Sequence, residues 1–147
     1  MILTWDTYLS EHFQLKECIN NYDRQFMTPD IAYWQLNHNL FIPLEWLRKY
    51  FNKRITINSF YRSFEYQNEL KLKGYKPGKF SQHMRGNAID LVIYGLSAIE
   101  IRNKINDEWN KGNEAIKIIT CMEIDIPWVH IDARPLWDKS QLLKVKP

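Results

Sequence analysis

The sequence has only two cysteines, Cys18 and Cys121, and neither stands in a C-x-x-C pair. That rules out a disulfide-stapled scaffold, and the pair reads as two buried thiols in a reduced compartment. No stretch approaches the roughly 20 apolar residues needed to cross a membrane, so no insertion is expected. Residues 1–6 (Met-Ile-Leu-Thr-Trp-Asp) lack a basic segment followed by an apolar one. The expectation is a chain made in the cytoplasm without a signal peptide, acting outside only by another export route. There is no long basic run: 20 basic and 17 acidic residues leave a net charge of +3. Nucleic-acid binding is therefore not suggested, and a soluble, monomeric surface is expected. Repeats, low-complexity tracts and linkers are also missing.

What is present is a folding sequence. The chain has 147 residues, 45% hydrophobic and 14% aromatic, which suits one domain with a single core. Residues 1–27 read as an N-terminal wrap with a short helix near 13–19, residues 28–134 as the core, and residues 135–147 as a tail. Thr28-Pro29 is a helix start, and Leu36, Leu40, Leu44, Leu47 and Phe51 continue one apolar stripe. Pro43 should kink or divide that helix. Residues 54–60 alternate with period two and predict a strand, followed by a helix over 64–72 and a loop over 73–79. A strand is predicted over 87–94. Ser97-x-x-Glu100 has the form of a capping box, and the helix it opens ends at Gly112. Two more strands are predicted over 115–122 and 128–133, joined by a turn near Pro127. The fold class is α+β, with a small antiparallel sheet packed by helices.

Histidine is scarce too. Of four, His12 and His38 sit in polar helical settings and read as ordinary satisfied side chains. His83 and His130 adjoin apolar, strand-like segments that can converge. Asp90 follows His83 by seven residues, with Gly86 between them to let the backbone turn. A carboxylate in an apolar strand is costly unless a cation compensates it, and zinc or an arginine would both do so. Two imidazoles and one carboxylate form a three-ligand zinc site with its fourth position open.

The phrase Ser81-x-His83-x-x-Gly86-x-Ala88-x-Asp90 resembles the signature of the D-alanyl-D-alanine carboxypeptidase-like zinc peptidases, the grouping that includes the hedgehog signalling domain. His12-Phe13-Gln14-Leu15-Lys16-Glu17 is similar to that family's N-terminal phrase, and 40–47 to its first long helix. Residues 57–63 resemble its S-G-Y-R-S segment, and Trp128-Val129-His130 its closing W-V-H. The resemblance implies the family's single-domain fold, with His83, Asp90 and His130 as zinc ligands. It also implies Arg62 as the arginine that binds a substrate carboxylate or polarises the scissile carbonyl. Ser81 should support the ligand loop, since no histidine is left to activate it as a nucleophile. Asp132, two residues beyond His130, either orients that ligand or is a plain exposed carboxylate.

One position departs from the family pattern. Many members carry an acidic general base three residues before the last histidine, where this chain has Pro127. Hedgehog-like members place a glutamate further back, and here the available carboxylates are Glu123 and Asp125. The resemblance implies zinc-dependent cleavage of an amide bond in peptidoglycan stem or cross-link peptides, by a carboxypeptidase or an endopeptidase. Small size and a missing leader resemble phage or prophage members, which reach the cell wall after release or in a virion. The alternative is a non-catalytic zinc module that binds wall peptides or a protein partner.

Overall fold

The computed structural model describes residues 2–147. Its centre is a five-stranded sheet formed by β1 (Ile55–Ser59), β2 (Ala88–Ile93), β3 (Cys121–Glu123), β4 (Val129–Asp132) and β5 (Leu143–Val145), in the order β1-β2-β4-β3-β5. All pairings are antiparallel except β3 with β5. Five helices accompany it: α1 (Leu15–Cys18), α2 (Pro29–Trp34), α3 (Phe41–Phe51), α4 (Phe64–Leu72) and α5 (Ala98–Asn110). The α+β expectation therefore holds, with one parallel pairing added.

Alternation along the two central strands divides core from site. Ile89 pairs with Ile131 and Leu91 with Val129, and all four are fully buried. With Leu44, Leu47, Ile101 and Ile105 they form the hydrophobic core. The intervening residues project from the opposite face, where Asp90 lies directly opposite His130. A register shift between Ile57 and Ser59 of β1 brings Ser59 beside Asp90 as well.

Local signals explain most element ends. Ser97 and Glu100 form the capping box at the start of α5, and Gly112, at φ +80°, lies just past its end. Ser63 caps α4 by accepting from the backbone N–H of Tyr66. The helix expected to break at Pro43 breaks earlier instead. α2 ends at Trp34, and a tight turn over 35–40, capped by Asn37, precedes α3. Pro43 sits in the first turn of α3, where its missing N–H costs nothing, so that helix runs unbroken through it.

Two other expectations need correction. The strand expected over 115–122 begins only at Cys121. Asn113 Oδ1 accepts from the N–H groups of Ala115 and Ile116 and winds a 3₁₀ turn over Ile116–Ile118. That turn buries both Ile116 and Ile119 in the core, which an extended chain would not do. Residues 135–147, expected as a tail, contain β5, held by Leu143 N–H to Thr120 O (3.0 Å) and Ile124 N–H to Val145 O (2.8 Å).

Candidate metal centre

His83, Asp90 and His130 each offer one ligand atom, and those atoms all lie within 4.8 Å of one another. Asp90 and His130 meet through strand register. His83 arrives on a 3₁₀ turn, Gln82–Arg85, which Ser81 starts by accepting from His83 N–H (3.3 Å) and which Gly86 ends at φ +60°. Ser81 thus supports the ligand loop as expected. Gly86 is needed for space as well as for its backbone angle. A Cβ there would stand 1.6 Å from the carbonyl oxygen of Gln35, inside the 35–40 turn. The same turn donates Asn37 N–H to Gly86 O (2.8 Å), and Asn37 Nδ2 donates to Asn87 Oδ1 (2.7 Å). The early end of α2 is therefore what grips the His83 loop.

Hydrogen bonds fix which atoms face the centre. His83 Nδ1 lies 2.8 Å from the backbone carbonyl of Phe60, which can only accept, so Nδ1 carries the proton. Nε2 then presents a lone pair. It is buried and without a hydrogen-bond partner, although Asp90 Oδ2 is only 3.2 Å away at poor angle. Two acceptors at that separation repel unless a cation or a proton lies between them. Burial lowers the pKa of His83, so its imidazole is in the neutral, ligating form. Burial opposes ionisation of Asp90, but the hydrogen bond from His130 outweighs it and holds the carboxyl well below the usual range. An orphaned lone pair, an ionised carboxylate and a second imidazole fit a zinc ion with three protein ligands.

His130 is clamped between two carboxylates. Its Nδ1 lies 2.7 Å from Asp90 Oδ1, and its Nε2 lies 3.0 Å from Asp132 Oδ2. Burial disfavours the imidazolium, but the bonds to Asp132 and Asp90 win and raise its pKa to about 9. Asp132 is fully buried, not a plain exposed carboxylate. Arg134 holds it in a two-point grip, Nε to Oδ1 at 2.8 Å and Nη2 to Oδ2 at 2.6 Å. Asp132 therefore fixes the ring of His130 with Nδ1 turned toward Asp90.

Arg62 follows β1 and donates its backbone N–H to His83 O (3.1 Å). Its guanidinium lies 3.9 Å from Asp90 Oδ2 and makes one long bond, 3.4 Å, to Gln67 Oε1, while its buried Nε has no partner. Most of its hydrogen-bonding capacity is thus available to an anion beside the centre. The two candidate bases separate clearly. Glu123, at the end of β3, lines a cavity of about 620 Å³ together with Arg62, His83, Asp90 and His130. Asp125 sits in the following turn at φ +64°, largely exposed, and pairs with Lys146 at 3.2 Å.

Three contributors have no local sequence signature. Arg134 and Gln67 are two. The third is Arg102 of α5, whose buried guanidinium donates to the carbonyls of Ile126 (3.1 Å) and Trp128 (3.0 Å). It pins the turn between Glu123 and His130 from 24 and 26 residues away. Arg134 stands only two residues beyond Asp132, past the end of β4, but no motif marks it. His12 and His38 are satisfied elsewhere, by Glu45 and by the carbonyl of Tyr33. Both cysteines are free and buried.

A family model described as Peptidase M15 matches residues 11–132, a span that contains all six candidate site residues. No curated protein and no solved structure matches the chain.

Proposed function

Because the chain belongs to the peptidase M15 family, whose members are zinc-dependent, we propose that it hydrolyses an amide bond in peptidoglycan stem or cross-link peptides. The observation that carries this reading is the orphaned Nε2 of His83 facing the ionised Asp90. In it, His83, Asp90 and His130 hold one zinc ion. Zinc there supplies Lewis acidity, polarising the scissile carbonyl and making water a usable nucleophile near neutral pH.

The chain's own groups do the rest. Glu123, on the cavity wall, takes a proton from the attacking water and delivers it to the leaving amine. Such assistance is typically worth about 10²–10⁴ in rate. Glu123 takes this role because Pro127 occupies the position of the base in many relatives. Arg62 holds a substrate carboxylate or the oxyanion that develops on the carbonyl. Asp132 and Arg134 keep the ring of His130 in one orientation, and Arg102 keeps the 124–128 turn in place. Ser81 has a structural part only.

The test uses protein stripped by a chelator and reloaded with one equivalent of zinc, incubated with defined stem peptides and cross-linked fragments. Mass spectrometry should find a cleaved amide with the reloaded protein and none with the stripped one. If the reloaded protein binds these peptides without cleaving them, the chain is a zinc-dependent binding module and the hydrolase reading fails.

A further inference from the structure

Two cavities meet at the metal centre, and Arg62, Leu70, Asp90 and Trp128 line both. The larger, about 620 Å³, runs from His83 and His130 toward the 75–82 loop and the last residues of the chain. The smaller, about 270 Å³, continues past Arg62 to Asn20, Asn58 and Tyr66. That is close to the lower end, about 300 Å³, of volumes that house a small ligand.

The two lobes differ in chemistry. Lys76 and Lys146 stand on the wall of the larger one. Lys76 is exposed and has no ion-pair partner among the described residues. The pair of Lys146 with Asp125 joins two largely exposed groups, so it yields readily to a competing anion. Arg62 and Arg134 also line this lobe, against the two carboxylates of Asp90 and Glu123. Away from Arg62 and Asp90 the smaller lobe is neutral. It offers the amides of Asn20 and Asn58, the hydroxyl of Ser59 and the ring of Tyr66.

A site that only trims the end of a peptide needs a wall just beyond the scissile bond, where a cation meets the terminal carboxylate. Here Arg62 is at the right place for that cation, but the space does not close behind it. We infer that the cleft takes an extended peptide continuing on both sides of the scissile amide, with neutral residues against Asn58 and Tyr66 and carboxylate-bearing residues against Lys76 and Lys146. This deepens the hydrolase reading, on which it rests: the cut falls inside a peptide, not at its end.

Zinc-loaded protein is compared on two substrates, a stem pentapeptide with a free D-alanyl-D-alanine end and a cross-linked pair of such stems. The cross-linked pair should show a kcat/KM at least about tenfold higher. Asn58→Trp, which fills the neutral lobe from an exposed strand position, should move that ratio toward one; Asn58→Lys serves if the tryptophan variant does not fold. Lys76→Glu should raise KM for the cross-linked pair by about tenfold, with a smaller change in kcat. Preference for the free-ended pentapeptide, or a ratio unmoved by either Asn58 variant, overturns the inference. If zinc-loaded protein cleaves neither substrate, the hydrolase reading has failed, and fluorescence anisotropy with both labelled peptides decides the cleft separately. Binding of the cross-linked pair at least about tenfold tighter supports the two-sided cleft, and equal binding overturns it.

Discussion

Among the described residues, two groups of histidine and carboxylate have ligand atoms within 4.8 Å, and they are built to opposite ends. Around His12, every partner is committed. Glu45 accepts from Ser10 Oγ (2.6 Å), His12 N–H (2.8 Å) and His12 Nδ1 (2.7 Å), while Glu11 pairs with Lys49 at 2.6 Å. The group fastens the N-terminal segment to α3. Around His83, by contrast, one buried nitrogen is left without a hydrogen-bond partner, 3.2 Å from a carboxylate. Proximity of ligand types does not make a metal site; an unsatisfied lone pair beside an ionised group does.

That contrast breaks if the wrong cluster responds to substitution. Asp90→Ala should cut bound zinc from about one equivalent to less than half, measured on metal-replete protein, whereas His12→Ala should leave it near one. Next in size is the effect on turnover. Glu123→Gln should keep zinc and lower hydrolysis by about a hundredfold or more, and Asp125→Asn should change it less than about twofold.

Stability sharpens the same contrast. The core lies on the opposite sheet face from the metal centre, so chelated protein should keep its helical and strand circular dichroism. Zinc at about 100 times its dissociation constant should add about 2.7 kcal/mol, seen as a higher Tm. A random-coil spectrum after chelation would make the metal structural. Arg102→Met should cost about 1–3 kcal/mol, because two buried carbonyls lose their donor. It should lower turnover while zinc stays bound.

The smallest effect belongs to the satisfied cluster. Burial pushes the pKa of Glu45 up, but the bonds from Ser10 and His12 outweigh it and leave it below the ordinary 4.5. A depressed carboxylate stabilises the fold above its ordinary value and loses that contribution as pH falls through its lowered one. Glu45→Gln should therefore reduce stability by about 1 kcal/mol near pH 7, and the gap to wild type should close as the solution is acidified below about pH 4. A gap that widens on acidification would contradict the assignment.

Local chemistry made much of this legible in advance. The Ser97–Glu100 box, the alternation in β1 and the phrase from Ser81 to Asp90 each carry their own signal over a few residues, and the structure uses them as read. The missed features depend on distant partners. Arg102 reaches carbonyls on another element, and β5 forms only because β3 offers an edge. Sequence offered Glu123 and Asp125 alike as the base. The positive φ at Asp125 separates them, and nothing in the segment's composition announced it. The break between α2 and α3 was assigned to its proline, although the turn there is held by Asn37 N–H to Gly86 O, about 50 residues away.

The central claim is that the orphaned nitrogen of His83 is a metal ligand, and a crystal structure of the zinc-loaded protein tests it most directly. It should show one zinc ion at about 2.0–2.2 Å from His83 Nε2, an Asp90 oxygen and His130 Nδ1, with His130 Nε2 still bonded to Asp132. Zinc held by His12 and Glu45, or by Asp132 in place of His130 Nδ1, would contradict it.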